Sequence, residues 1–162
     1  MLAVINLHSL SIWIHISAAI VGFGATFALA VGFPLALRLD ARYVPFVHHL
    51  SLAINRRLAG PALLIVLITG IYQAADGDFS MGDPWISGTL AIVIILGGLQ
   101  GAYFIPTDRR LAAMAEKELA GGATTLSADY QRQAQREGGI GALAGLLIVV
   151  AVFLMVTKPG LS

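Results

Sequence analysis

The chain has 162 residues, of which 57% are hydrophobic and only 12% charged, with ten Lys or Arg against nine Asp or Glu and a mean hydropathy of +0.83. A soluble domain carries about 25% charged residues, so this composition points to a membrane protein. The absence of cysteine excludes disulfides, thiolate metal sites, iron–sulfur clusters and thiol redox chemistry. No basic stripe with interleaved aromatics supports binding to nucleic acid.

Hydrophobicity falls into four blocks rather than being spread along the chain, which is the membrane pattern. The first block covers residues 10–37. No Lys or Arg precedes Arg38, and the run is too long for the apolar region of a signal peptide, so it reads as a span. The second covers residues 58–75, with an amphipathic stretch at 44–54 lying near the interface before it. Pro61 is a kink if that helix begins upstream, near Pro45. The third covers residues 85–105. Asp83-Pro84-Trp85 supplies an acidic N-cap, a proline at the first helical position and an interfacial aromatic. Pro106 is expected to stop or kink this span. The fourth covers residues 139–157.

Between the third and fourth spans, Thr107-Asp108 reads as the cap of a short helix that Gly121-Gly122 ends. Ser127 reads as the cap of a helix continuous with span four. The fold class is therefore all-α: a single four-transmembrane-helix bundle with a cytoplasmic extension of helices 3 and 4. Charge sets its orientation. Nine of the ten basic residues lie in the two connections after spans one and three, and only Lys158 lies on the other side. The connection after span two carries Asp76, Asp78 and Asp83 without a Lys or Arg. The positive-inside bias puts both termini and the acidic loop outside the cytoplasm.

Ionisable side chains inside a bilayer mark proton and ion paths. No Asp, Glu, Lys or Arg falls within the four runs, and His15 is the one exception to their neutrality. Ser11, Ala18, Gly22 and Thr26 share its helical face, a small-residue stripe suited to close packing, and His8 lies two turns earlier on roughly the same side. A neutral imidazole there can ligate haem iron or a metal, or hydrogen-bond a quinone or substrate. The plainer alternative is a bond to a neighbouring helix or to interfacial water. His48 and His49 are adjacent, point about 100° apart on a helix and cannot chelate one metal, so they read as an interfacial polar surface. Arg56 and Arg57 anchor the second span at anionic lipid head groups or clamp a carboxylate or phosphate. Gly97 with Gly101, and Gly141 with Gly145, have the spacing that lets helices approach closely, either as a seam within the chain or as a homo-oligomer contact. Gln100, deep in span three, needs a hydrogen-bond partner.

Trp13-Ile14-His15, the Gly22/Gly24 stretch, Arg56-Arg57-Leu58, Pro61-Ala62 and Gly70 together resemble the superfamily of copper-resistance D membrane proteins and HemJ-type protoporphyrinogen oxidases. The ending Met155-Val156-Thr157-Lys158-Pro159 is similar to an uncharacterised branch of predicted bacterial integral membrane proteins. The resemblance implies a four-helix bundle in the bacterial inner membrane that binds haem b through His15, with His8 nearby. The oxidase pattern has a Lys and a His in its third span where this chain has Ser87-Gly88-Thr89 and Gln100, so no catalytic residue is carried over. Met81, Met114 and Met155 are scattered and form no copper cluster. Two readings follow: a haem-binding or redox-linked membrane protein, or a non-catalytic accessory or oligomeric scaffold in a larger membrane complex.

The charge asymmetry makes a direct prediction. A cysteine introduced by Asp78→Cys is labelled by an impermeant thiol reagent in intact cells, whereas one introduced by Thr124→Cys is labelled only after lysis. The reverse pattern would invert the topology.

Overall fold

The computed structural model describes residues 6–160. The extreme termini, whose side of the membrane the charge bias predicts, lie outside the described residues. Four long helices make up the fold: α1 (Leu7–Leu39), α2 (Ala41–Asp76), α3 (Pro84–Ala120) and α4 (Ala128–Thr157), each long and apolar enough to cross a membrane. They run up and down, so one end of the bundle gathers the Arg-rich connections and the other the acidic loop at residues 77–83. These are called the basic and acidic ends.

Two of the helices are longer than their apolar runs. The second span was expected at residues 58–75, and Pro106 was expected to stop or kink the third. Instead α2 begins at Ala41, and α3 continues past Pro106 to Ala120. Proline lacks an N–H and its ring crowds the carbonyl four residues back. Each helix relieves this with one π turn just before the proline. Gly60 N–H donates to the Asn55 carbonyl ahead of Pro61, and Ile105 N–H donates to the Gln100 carbonyl ahead of Pro106. The wider turn keeps the helix going where a break is expected from sequence. Thr107-Asp108 is consequently not a cap but lies inside α3, with both residues buried.

Other boundaries fall as local chemistry dictates. Asn6 caps α1 by accepting from Ser9 N–H, and Ser127 Oγ accepts from Tyr130 N–H at the start of α4. Asp83 precedes Pro84 as expected, but its carboxylate makes no capping bond; its backbone carbonyl accepts from Ile86 and Ser87. Asp40 alone joins α1 to α2, accepting from Arg42 N–H at 2.9 Å to start a single 3-10 turn.

The packing is inverted relative to a soluble protein. Bulky apolar side chains point outward, with Ile20 at 68%, Val31 at 70% and Val156 at 77% exposure, while the interior between α1 and α2 is built from Ser11, Ala18, Gly22, Ala62 and Val66. Lipid is as apolar as these side chains, so helices associate there through close packing and hydrogen bonds. α1 packs mainly on the Gly60–Asp76 part of α2, the Val44–Ile54 part of α2 on the Ile105–Ala120 part of α3, and the Pro84–Leu99 part of α3 on α4.

The tightest approach is not at the paired glycines singled out from sequence. A Cβ on Gly22 would sit 2.7 Å from the Ala62 Cβ. Gly97 faces Leu63 and Gly145 faces Phe27 at ordinary contact distance, and Gly101 and Gly141 face open space. Within the chain the seam is therefore Gly22 on Ala62. Gly22 belongs to the small-residue stripe of α1, but it has Ala18 and Thr26, not glycines, four residues away, so the paired-glycine spacing did not single it out. Gly22→Ala should destabilise the protein by about 1–3 kcal/mol through overpacking and lower its melting temperature in detergent. Gly101→Ala, which meets nothing and gains up to ~1 kcal/mol of helix propensity, should leave it unchanged or raised. Equal melting of Gly22→Ala and the parent would show that α1 and α2 do not meet there.

Candidate functional site

At the basic end, beyond the apolar runs of α2, α3 and α4, lies a buried chain of polar side chains. His48, Ser51 and Asn55 are at positions i, i+3 and i+7 of α2 and so share one face. Asp108 comes from α3, one residue pair past Pro106, and Tyr130 and Glu137 come from α4, two turns apart. His48 Nδ1 is 2.7 Å from Asp108 Oδ1, and His48 Nε2 is 2.8 Å from the Tyr130 hydroxyl. Ser51 Oγ donates to Asp108 Oδ2 at 2.6 Å, and Asn55 Nδ2 donates to Ser51 Oγ at 3.2 Å. An ionised carboxylate only accepts and a phenol is protonated at neutral pH, so Nδ1–H donates to Asp108 and Tyr130 O–H donates to Nε2. The imidazole is thereby held in one tautomer with both nitrogens engaged.

This network is buried. His48 is 0% exposed and Asp108 and Tyr130 are each 1% exposed, and the Phe33 ring meets the His48 ring edge-on at 4.8 Å. Val44, Leu111, Ala115 and Leu126 close around Tyr130. Buried polar groups in such a setting cost several kcal/mol unless paired, and here the pairing is close to complete.

Glu137 is the exception. It is 9% exposed, and among the described residues its carboxylate has no hydrogen-bond or ion partner. It lines a cavity of about 1100 Å³ together with Ser51, Asn55, Asp108 and Tyr130, reaching Asp40 and Thr124 at the surface. Asp40 is paired with Arg42 at 2.9 Å, and these bonds hold its carboxyl below the usual carboxylate range.

The two π turns are tied together at mid-bundle. Gln100 Nε2 donates at 2.6 Å to the Asn55 carbonyl, the same oxygen that accepts from Gly60 N–H. This is the partner that the Gln100 amide requires. It also explains the glycine: a Cβ on Gly60 would lie 3.0 Å from the Asn55 oxygen and 3.4 Å from Gln100 Nε2.

A second cavity, of about 790 Å³, opens in the acidic half between α1, α2, α3 and α4. His15 lines it, as do His8, Phe23, Trp85, Met155 and Lys158. His15 Nδ1 is 2.8 Å from Thr69 Oγ1, and that hydroxyl donates its proton to the Ile65 carbonyl at 2.6 Å. Thr69 Oγ1 therefore accepts from His15 Nδ1–H. His15 Nε2 is left with its lone pair free and has no hydrogen-bond partner among the described residues. Gly70 makes room for the ring, since a Cβ there would be 3.3 Å from His15 Cε1. His8 sits at the exposed mouth, bonded to Asp76. Lys158 lies over the Phe79 and Trp85 rings at 5.1 and 5.2 Å, and Trp85 Nε1 is a buried donor without a partner among the described residues.

The residues picked out from sequence thus divide. His15 and His8 share one cavity. Arg56 and Arg57 are exposed on the π turn of α2, and neither has an ion pair among the described residues. Gly141 and Gly145 line the basic-end cavity. The reading of His48-His49 as one interfacial surface needs correction: His49 is exposed and pairs with Glu116 at 2.7 Å, but His48 is the centre of the buried network. That network was missed although its signal was present. His48, Ser51 and Asn55 form a polar stripe at helical spacing, and Tyr130 and Glu137 repeat at i, i+7. Only the meeting of the stripes was hidden.

Four apolar helices, a seam of small residues and a cavity toward each end define a polytopic helical membrane protein. The chain belongs to the family described as "Predicted integral membrane protein (DUF2269)", whose model matches residues 9–159. No curated protein and no solved structure matches it.

Proposed function

We propose that this is a small bacterial inner-membrane protein that binds haem b in the acidic-half cavity, with His15 as the iron ligand, and serves a redox-linked role. The observation that carries the reading is the Thr69–His15 hydrogen bond. A hydrogen bond to one ring nitrogen fixes the tautomer and orients the other for a metal, and here the free nitrogen is Nε2. The cavity's volume is within the ~300–1,000 Å³ usual for cofactor sites. Its lining is mostly aliphatic and aromatic, with His8, Lys158 and the unpartnered Trp85 Nε1 as polar groups toward the acidic end. These groups suit the carboxylates of haem, so the residues present fit the group. Bound there, haem b supplies a one-electron redox couple. The chain's own part is to hold the imidazole neutral, exclude water with Phe23, Phe27 and Val66, and offer donors at the mouth. The resemblance to the copper-resistance D and HemJ-type superfamily carries the same implication for His15.

The basic end is assigned to the cytoplasm on the charge asymmetry, with both chain ends on the opposite side. The competing reading, a non-catalytic component of an oligomer or larger complex, draws support from Gly98 and Gly101, at which an added Cβ would meet nothing within 4 Å among the described residues.

Absorbance separates the two. Protein purified in detergent from cells supplied with haem precursor should show a Soret band that His15→Ala removes and Thr69→Val weakens. A colourless preparation that is folded by circular dichroism and stays colourless after haem addition would contradict haem binding and favour the oligomeric reading.

A further inference from the structure

The basic-end cavity presents a second site, independent of the first. Among its lining residues are three carboxylates, Asp40, Asp108 and Glu137, and no Lys or Arg, although this end of the bundle carries nine of the ten basic side chains. Arg42 offsets Asp40, and His48 and Ser51 bond Asp108. Glu137 is left as a carboxylate 91% shielded from solvent, unpartnered and lining the cavity. A buried charge without a partner is strongly disfavoured, so Glu137 is neutralised there either by a proton or by a bound cation.

His48, Asp108 and Glu137 each offer a ligand atom, all within 4.8 Å of one another, and all three residues are buried. From these observations we propose that His48, Asp108 and Glu137 form a binding site for a divalent first-row transition cation, reached from the basic end through the cavity.

The donor set decides the class of ion. One imidazole and two carboxylates suit Mn²⁺, Fe²⁺ or Zn²⁺, whereas Ca²⁺ and Mg²⁺ prefer oxygen donors alone. Ligand bonds of about 2.0–2.2 Å bring three donors to within roughly 4 Å of one another. Closing from 4.8 Å therefore requires a shift on the order of 1 Å, which the long, unbonded Glu137 side chain supplies. Ligation through His48 Nδ1 moves the ring proton to Nε2, which then donates to the Tyr130 hydroxyl, while Ser51 keeps its bond to Asp108 Oδ2 and orients that carboxylate. The cavity leaves room for water to complete the coordination. The exposed His49–Glu116 pair is a poorer site, with two ligands open to solvent.

The test uses the full chain in detergent, stripped with chelator. It is titrated with Zn²⁺ by calorimetry and with Mn²⁺ by electron paramagnetic resonance, in excess Mg²⁺. One equivalent per chain should bind. Glu137→Gln, which keeps shape and removes only charge at a residue with no protein partner, should weaken binding at least tenfold without loss of helicity. His48→Gln should do the same, and Glu116→Gln should change nothing. Absence of a bound equivalent in the parent would overturn the site, as would binding unaffected by Glu137→Gln. Loss of binding with Glu116→Gln alone would move the ion to the surface pair and would equally overturn it.

Discussion

Asp108 is the side chain on which the basic half of the molecule depends. It enters from α3, yet both its oxygens are taken by α2, through His48 and Ser51, and His48 passes the connection on to Tyr130 of α4. Three helices are thus fixed by one carboxylate that is 1% exposed. Removing one partner of such a pair costs about 3–5 kcal/mol because the other is left buried and unpaired, a large fraction of the ~5–15 kcal/mol that holds a typical domain together. Small-residue packing between α1 and α2 has no comparable role at this end. It governs the other half, where Gly22 and Ala62 meet.

The π turns connect the two regimes. Pro61 and Pro106 each force an extra residue into a turn, and the resulting carbonyl at Asn55 is satisfied twice, by Gly60 N–H and by Gln100. Because Asn55 also donates to Ser51, the mid-bundle bond between α2 and α3 joins the buried network at the basic end. A helix that continues through its proline also explains how Asp108 comes to face His48. Had α3 ended at Pro106, nothing would have positioned its carboxylate.

Much of the architecture was legible because membrane spans announce themselves through length and hydropathy. The four helices, the glycine break at Gly121-Gly122 and the Ser127 cap all follow from local rules. What was not legible were consequences of pairing. Proline is a local signal for a break, but a π turn is stabilised by groups on the neighbouring helix, here Gln100, which no window of sequence contains. His48 looked like half of an exposed pair because adjacency was visible and burial was not. Its partners lie 60 and 82 residues away. His15 was singled out because an imidazole within an apolar run is conspicuous by itself. Thr69, which sets its tautomer, is one of many hydroxyls in the helices and carried no such mark.

The measurement closest to the central claim is hydrogen exchange by mass spectrometry on the full chain in detergent, comparing the parent with Asp108→Asn. If Asp108 ties three helices together, protection should fall together in residues 44–51, 111–115 and 130–134, while residues 85–93 keep theirs. Loss of protection confined to the neighbourhood of residue 108, or no loss at all, would contradict the account.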